Sequence, residues 1–209
     1  MIGDRIDGVN ADNNEQLLSV LRHKFSDPII PEGIIAFKTQ KYTDERGFFQ
    51  QDINSLMLKN LGFGSFFQKN LSKSAIGVIR GMHWQSKKSA QKKIITCFQG
   101  AVIDVVIDLR PDSETYGEIN SFKLDSYEPN YLKIPAGFAH GFQSLEENTI
   151  FSYYVDAPYA PENEECINPL SEELEIYWEN LPRIINQKDQ SAISFKKYFS
   201  KPLKESDNE

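Results

Sequence analysis

The chain has 209 residues, 40% hydrophobic and 25% charged, enough for one soluble domain with an arm attached. A net charge of −7 argues against nucleic acid as the main partner, although a local cationic pocket can coexist with an acidic surface. No apolar run approaches the ~20 residues of a membrane helix, the first fifteen residues are polar, and two cysteines (Cys97 and Cys166) cannot by themselves form a structural metal cage, so a cytoplasmic protein is expected.

In chain order, residues 1–34 read as an N-terminal arm. Its start is polar, and Leu17, Leu18, Val20, Leu21 and Phe25 then recur at near-helical spacing. They predict a short helix over 14–25, closed by Pro28 and Pro31. From 33 to 156 the pattern is β. Strands are expected at 33–38, 48–53, 65–72, 76–85, 91–98, 101–109, 119–124, 131–134, 140–144 and 149–156, with a short helix near 54–61. Gly62, Gly64, Gly77, Gly100, Pro111-Asp112-Ser113, Pro129-Asn130 and Glu146-Glu147-Asn148 punctuate them. Fourteen Phe, nine Tyr and two Trp suit strands and ring-lined pockets. Many short strands at close spacing predict an all-β sandwich or jelly roll with short peripheral helices. Residues 157–183 read as irregular, proline-bearing wrapping, followed by a weak helix around 188–198 and a charged tail. The expected organisation is thus an arm (1–34), a β core (35–160) and a C-terminal wrapping segment (161–209).

The chemistry concentrates in a few segments. In the strand 101–109, Asp104 and Asp108 lie on one face among valines. An acid facing a barrel interior is costly unless paired. Asp108 is expected to cap the strand end and pair with Arg110; Asp104, deeper in the run, is the better candidate to orient a histidine. Two of the three histidines flank this strand, in Arg80-Gly81-Met82-His83-Trp84-Gln85 and in Pro135-Ala136-Gly137-Phe138-Ala139-His140. Either imidazole alone suits a core position; together they point to proton chemistry in a barrel mouth. Tyr153 and Tyr154 must face opposite sides of their strand, and alternation alone does not choose between them. Arg46, Arg80, Lys92 and Lys93 are candidate anion contacts. Without a phosphate loop or a dinucleotide fingerprint, side chains would have to hold a phosphate. The Pro135-x-Gly137-x-x-His140 spacing is similar to the second motif of metal-binding cupins. The first motif is broken at His83-Trp84-Gln85, with no Glu within the next ten residues, so a metal-free site is expected.

Taken together, Asp44–Phe49, Phe67–Ser74, Gly77–Gln85, Ala90–Lys93, Gly100–Arg110, Ile134–Phe142 and Phe151–Tyr159 resemble the dTDP-4-dehydrorhamnose 3,5-epimerase family in order and spacing. The resemblance implies a cupin-type double-stranded β-helix, a homodimer with exchanged strands, and chemistry without metal or cofactor. It implies a nucleoside-diphospho-4-keto-6-deoxyhexose substrate, in deoxysugar or rhamnose-type biosynthesis. A ketone at C4 acidifies the C3 and C5 hydrogens and serves as the electron sink. By position, His83 would be the base, oriented by Asp189 of the Lys188-Asp189 pair, and Tyr153 the acid. Lys93 would sit near the enolate oxygen, with His140 and Asp104 as a supporting pair. Arg46, Phe49, Gln51, Gln68, Asn70 and Arg80 match substrate-contacting positions, and Tyr159 a ring that stacks on the base. The chain departs from the family at Gln51, where Glu is common, at Lys92 for Gly, at Tyr154 for Lys, and at Pro169-Leu170-Ser171 for Trp-Asn-Asp. Inversion at C3 or C5 alone, a ketoisomerase on another nucleotide sugar, and a non-catalytic sugar-binding cupin are the alternatives.

Overall fold

Twelve strands and three short α-helices run through residues 31–63, 67–127 and 130–200, the part of the chain that the computed structural model describes. The helix expected over 14–25 and the far end of the tail lie outside these residues. The strands are β1 (Ile35–Lys38), β2 (Lys41–Asp44), β3 (Gly47–Gln50), β4 (Gln68–Ser74), β5 (Ile79–Gln85), β6 (Lys93–Gln99), β7 (Ala101–Asp108), β8 (Ile119–Asp125), β9 (Asn130–Ile134), β10 (Phe138–Ser144), β11 (Thr149–Val155) and β12 (Glu164–Cys166). The helices are α1 (Ser55–Asn60), α2 (Gln187–Gln190) and α3 (Phe195–Phe199).

Two antiparallel five-stranded sheets make the jelly roll, ordered β1-β9-β6-β11-β4 and β12-β5-β10-β7-β8; β2 and β3 pair as a separate hairpin. Alternation along the strands sorts their side chains into three layers. Val102, Val106, Phe122, Phe138, Phe142, Ile95, Leu132 and Phe151 fill the space between the sheets. Ile103, Val105, Ile107, Met82 and Trp84 face outward from the second sheet, and the C-terminal segment covers them with Ile167, Leu174, Trp178, Phe195 and Tyr198. On the outer face of the first sheet, α1 packs Met57 and Leu58 on Phe37, Ile94, Tyr131 and Tyr154.

Three features differ from the sequence expectation. The strand expected at 48–53 is β3, and its partner β2 was not anticipated because Lys41-Tyr42-Thr43-Asp44 is largely exposed and carries no apolar alternation. The irregular stretch 157–183 contributes β12, which pairs with β5 through Glu164–Gln85, Glu165–Trp84 and Cys166–His83. The helix expected around 188–198 is two helices. Between them Ile193 bridges Ile167, and Ser194 caps α3 by accepting from the Lys197 amide.

A β-bulge decides which side chains reach the interior. His140 faces His83, but Phe142 faces Arg80, so three residue steps on β5 span two on β10. Arg80 and His83 have opposite parity in sequence, yet both line the same cavity. Gly81 permits this. Its φ is +124°, and a Cβ there would lie 2.4 Å from Cα of Gly141.

Candidate active site

A cavity of about 450 Å³ opens among β4, β5, β6, β10 and β11. His83, Lys93, His140, Tyr153 and Asp189 line it, together with Gln68, Asn70, Arg80 and Tyr159. Nine of the thirteen residues singled out from the sequence therefore converge here, and Asp104 stands directly behind His140.

His83 and Asp189, 106 residues apart, meet at 2.7 Å between Nε2 and Oδ1. Asn186 is the N-cap of α2, accepting at 2.7 Å from the Asp189 amide, and so fixes Asp189 in the first turn of that helix. The Gly81 amide donates to Asp189 Oδ2 at 3.2 Å, which leaves Oδ1 turned toward the imidazole. Burial works to raise the Asp189 pKa, but the contact with His83 and the Gly81 amide outweigh it and hold the carboxyl below its ordinary value. The result is a buried carboxylate, 0% exposed, against a ring that is 30% exposed.

The second pair joins His140 Nε2 to Asp104 Oδ2 at 2.7 Å; Asp104, the deeper of the two acids on its strand face, was the one expected to meet a histidine. Burial pushes the Asp104 carboxyl up and the His140 imidazole down, against their mutual attraction. Asp108 behaves as expected at the strand end. Arg110 donates to it at 2.9 and 2.7 Å, and Ser113 and Thr115 complete the shell.

Lys93 reaches across from the first sheet, donating to the His83 carbonyl at 3.3 Å. Desolvation of its ammonium lowers its pKa to about 8, against the pull of Asp104 and Glu164. Tyr153 packs against the inner core and faces the cavity. Burial raises its pKa, with Arg80 opposing, so the phenol keeps its proton at neutral pH. Tyr154 points the other way. Its hydroxyl donates to Asp52 at 2.6 Å, Tyr131 donates to the same carboxylate at 2.7 Å, and Lys69 reaches Asp52 at 3.1 Å. Tyr153 rather than Tyr154 is thus the tyrosine that faces the cavity, a choice of side that alternation alone left open.

Gln68 donates to Asn70 at 2.5 Å, Arg80 to Ser74 at 3.3 Å, and the largely exposed Tyr159 donates to Glu164 at 2.9 Å. Glu164, which also pairs with Lys188, lines the cavity but was not singled out in the sequence, because the polar run Glu162-Asn163-Glu164-Glu165 gives no signal of its facing inward. Arg46, Phe49 and Gln51 are not brought to the cavity of their own chain. They lie on and just beyond the exposed β2–β3 hairpin, whose strands join neither large sheet. Arg46 folds back on Asp44 and Phe49 stacks near Tyr42. The Cys166 thiol, pushed up to about 12 by burial, is protonated at neutral pH and is no nucleophile.

A family model described as dTDP-4-dehydrorhamnose 3,5-epimerase matches residues 30–197. A relative of that name from Pseudomonas aeruginosa is 38% identical over 170 residues, covering 79% of this chain and 92% of its own. Among solved structures, a Legionella pneumophila dTDP-6-deoxy-D-glucose-3,5-epimerase in complex with dTDP-4-keto-L-rhamnose is 31% identical. It has a TM-score of 0.73 and covers 85% of this chain and 92% of its own. A 3'-monoepimerase from Streptomyces bikiniensis in complex with dTDP-quinovose is 26% identical, with a TM-score of 0.76, covering 83% and 89%.

Proposed function

The chain belongs to the dTDP-4-dehydrorhamnose 3,5-epimerase family, and from that premise we propose how its residues epimerise a dTDP-4-keto-6-deoxyhexose in deoxysugar biosynthesis. The single observation that carries the assignment of roles is the convergence of the His83–Asp189 pair, Lys93 and Tyr153 on one cavity. His83, its Nε2–H donated to Asp189, offers Nδ1 as the base toward C3–H or C5–H. The bond's electron pair moves into the C4 carbonyl as the proton moves to imidazole. The Lys93 ammonium donates to the oxygen on which the charge develops. Tyr153 returns a proton from the other face, and exchange with water then resets phenolate and imidazolium, so the net reaction is inversion alone. The His140–Asp104 pair sits beside this centre and holds the polar end of the cavity in place. Gln68, Asn70 and Arg80 face the diphosphate-sugar, and Tyr159 offers a ring for the nucleobase.

A homodimer is the second part of the proposal. The β2–β3 hairpin exposes Tyr42, Phe48 and Phe49 and carries Arg46 away from its own cavity, which suits insertion into a second copy. A cytoplasmic location fits two free thiols, Cys97 and Cys166. A monoepimerase reading is kept because a structural neighbour carries that activity and Gln51 removes a charge common in the family. Deuterium incorporation by proton NMR in D₂O, with a dTDP-4-keto-6-deoxyhexose, separates the readings. Label at C3 and C5 is expected for double inversion and label at one carbon for single inversion. Absence of exchange at both carbons would overturn the epimerase assignment for that substrate.

A further inference from the structure

We propose that His83, Cys166 and Asp189 together form a binding site for a borderline-soft divalent cation such as Zn²⁺, and that its occupancy switches the base off. The three donor atoms, an imidazole nitrogen, a thiol sulfur and a carboxylate oxygen, all lie within 4.8 Å of one another. This mixture of nitrogen, sulfur and oxygen donors is a zinc-type set, and its sulfur disfavours Mg²⁺ and Ca²⁺.

The fold places each donor firmly. Cys166 is the Cα partner of His83 across the β12–β5 pair. Reciprocal bonds between Met82 and Ile167, both 3.1 Å, lock that register. Asp189 has one oxygen tied to the Gly81 amide, so Oδ1 is left facing Nε2 at 2.7 Å and Cys166 Sγ at 4.0 Å. Tetrahedral zinc with bonds of about 2.0–2.3 Å needs nitrogen–oxygen separations near ~3.3 Å and sulfur–oxygen separations near ~3.6 Å. The first distance must open by about 0.6 Å and the second close by about 0.4 Å, adjustments within the reach of side-chain rotation. The fourth position would face the cavity that His83 lines. The buried thiol is protonated without a cation, but the charge of a coordinated ion removes that proton outright.

Coordination through Nε2 would replace the Nε2–H···Asp189 bond. The ring proton would then reside on Nδ1, and the nitrogen assigned as base would carry it. The inhibitory half of the proposal therefore rests on the reading of His83 as base; the binding half does not.

The test uses the purified full chain, stripped with a chelator and titrated with Co²⁺. A thiolate-to-cobalt charge-transfer band and tetrahedral d–d bands are expected, both erased by excess Zn²⁺. Turnover should fall with free Zn²⁺ and return on chelation. Cys166→Ala should keep basal turnover, lose the charge-transfer band, and need at least about 100-fold more Zn²⁺ for half-inhibition. Cys166→Ser is the backup if the alanine variant folds poorly; it should melt normally yet gain no thermal stability from Zn²⁺. A wild-type chain without the charge-transfer band, or a Cys166 variant inhibited at the same Zn²⁺ concentration, would overturn the proposal. Cobalt bands that depend on Cys166, in a protein inactive on every sugar tested, would uphold the site and sink the epimerase reading instead.

Discussion

Replacing Asp189 by Asn tests the proposed base with almost no change of shape. In the wild type, Gly81 N–H binds one carboxylate oxygen and His83 Nε2–H the other. An asparagine has a single oxygen to offer. Gly81 needs it, so the amide NH₂ turns toward Nε2, which must then accept. The ring proton moves to Nδ1 and blocks the nitrogen assigned to proton abstraction. Flipping the amide restores the tautomer but leaves the Gly81 N–H facing a donor, at about 1–3 kcal/mol, or roughly 5- to 150-fold against the productive state. Asparagine also removes the negative charge that stabilises the imidazolium formed on proton abstraction. Together, kcat for deuterium exchange at C3 and C5 should fall by about 10²-fold, with the melting temperature little changed and KM nearly constant. A variant that exchanges within about 5-fold of wild type would refute the assignment of Asp189 as the residue that orients the base.

Two further substitutions separate roles that lie close together in the fold. Tyr153→Phe should impair reprotonation, at one carbon more than the other, whereas Tyr154→Phe should leave turnover near normal. The latter removes a hydroxyl bond to the Asp52 carboxylate, at a cost of about 1.5–3 kcal/mol visible as a melting shift of several degrees. The reverse pattern in kinetics would place the wrong tyrosine in the cavity. Lys93 sets the alkaline limb of the pH–rate profile. Because its folded pKa is about 8, the ammonium is charged below that pH and lost above it, so kcat should decline as pH rises through about 8. Lys93→Met should lower kcat and flatten that limb; an unchanged limb would assign the titration to another group.

What was legible in the sequence follows from how far apart in the chain each contact is made. Strands with apolar alternation and glycine-marked ends announce themselves locally, and β4 to β11 lie close to their expected positions. The Asp104–His140 pair was also partly legible, since parity put Asp104 on the inner face and His140 opens the next strand of the same sheet. The β2–β3 hairpin was half missed because a strand without a buried face leaves no hydrophobic imprint. Parity misleads at β5, where the bulge lets Arg80 and His83 face one cavity, and nothing local in Gly81-Met82 marks the extra step.

The His83–Asp189 pairing was the least legible from residue patterns, and the reason is topological. The partner of His83 comes from a four-residue helix 106 positions later, and helix propensity over so short a stretch carries almost no information. Resemblance to a family supplied Asp189; the physics that holds it is the Asn186 cap, the Gly81 amide and the C-terminal segment packed over Met82 and Trp84. The same segment begins with β12, which sets Cys166 beside the pair. The outer face of the second sheet is thus more than a core that needed covering. The strap that covers it delivers the carboxylate paired with His83, the proposed base, and the thiol next to it. Any change that loosens this strap, even well outside the cavity, should therefore reach kcat through the orientation of His83 before it reaches substrate binding.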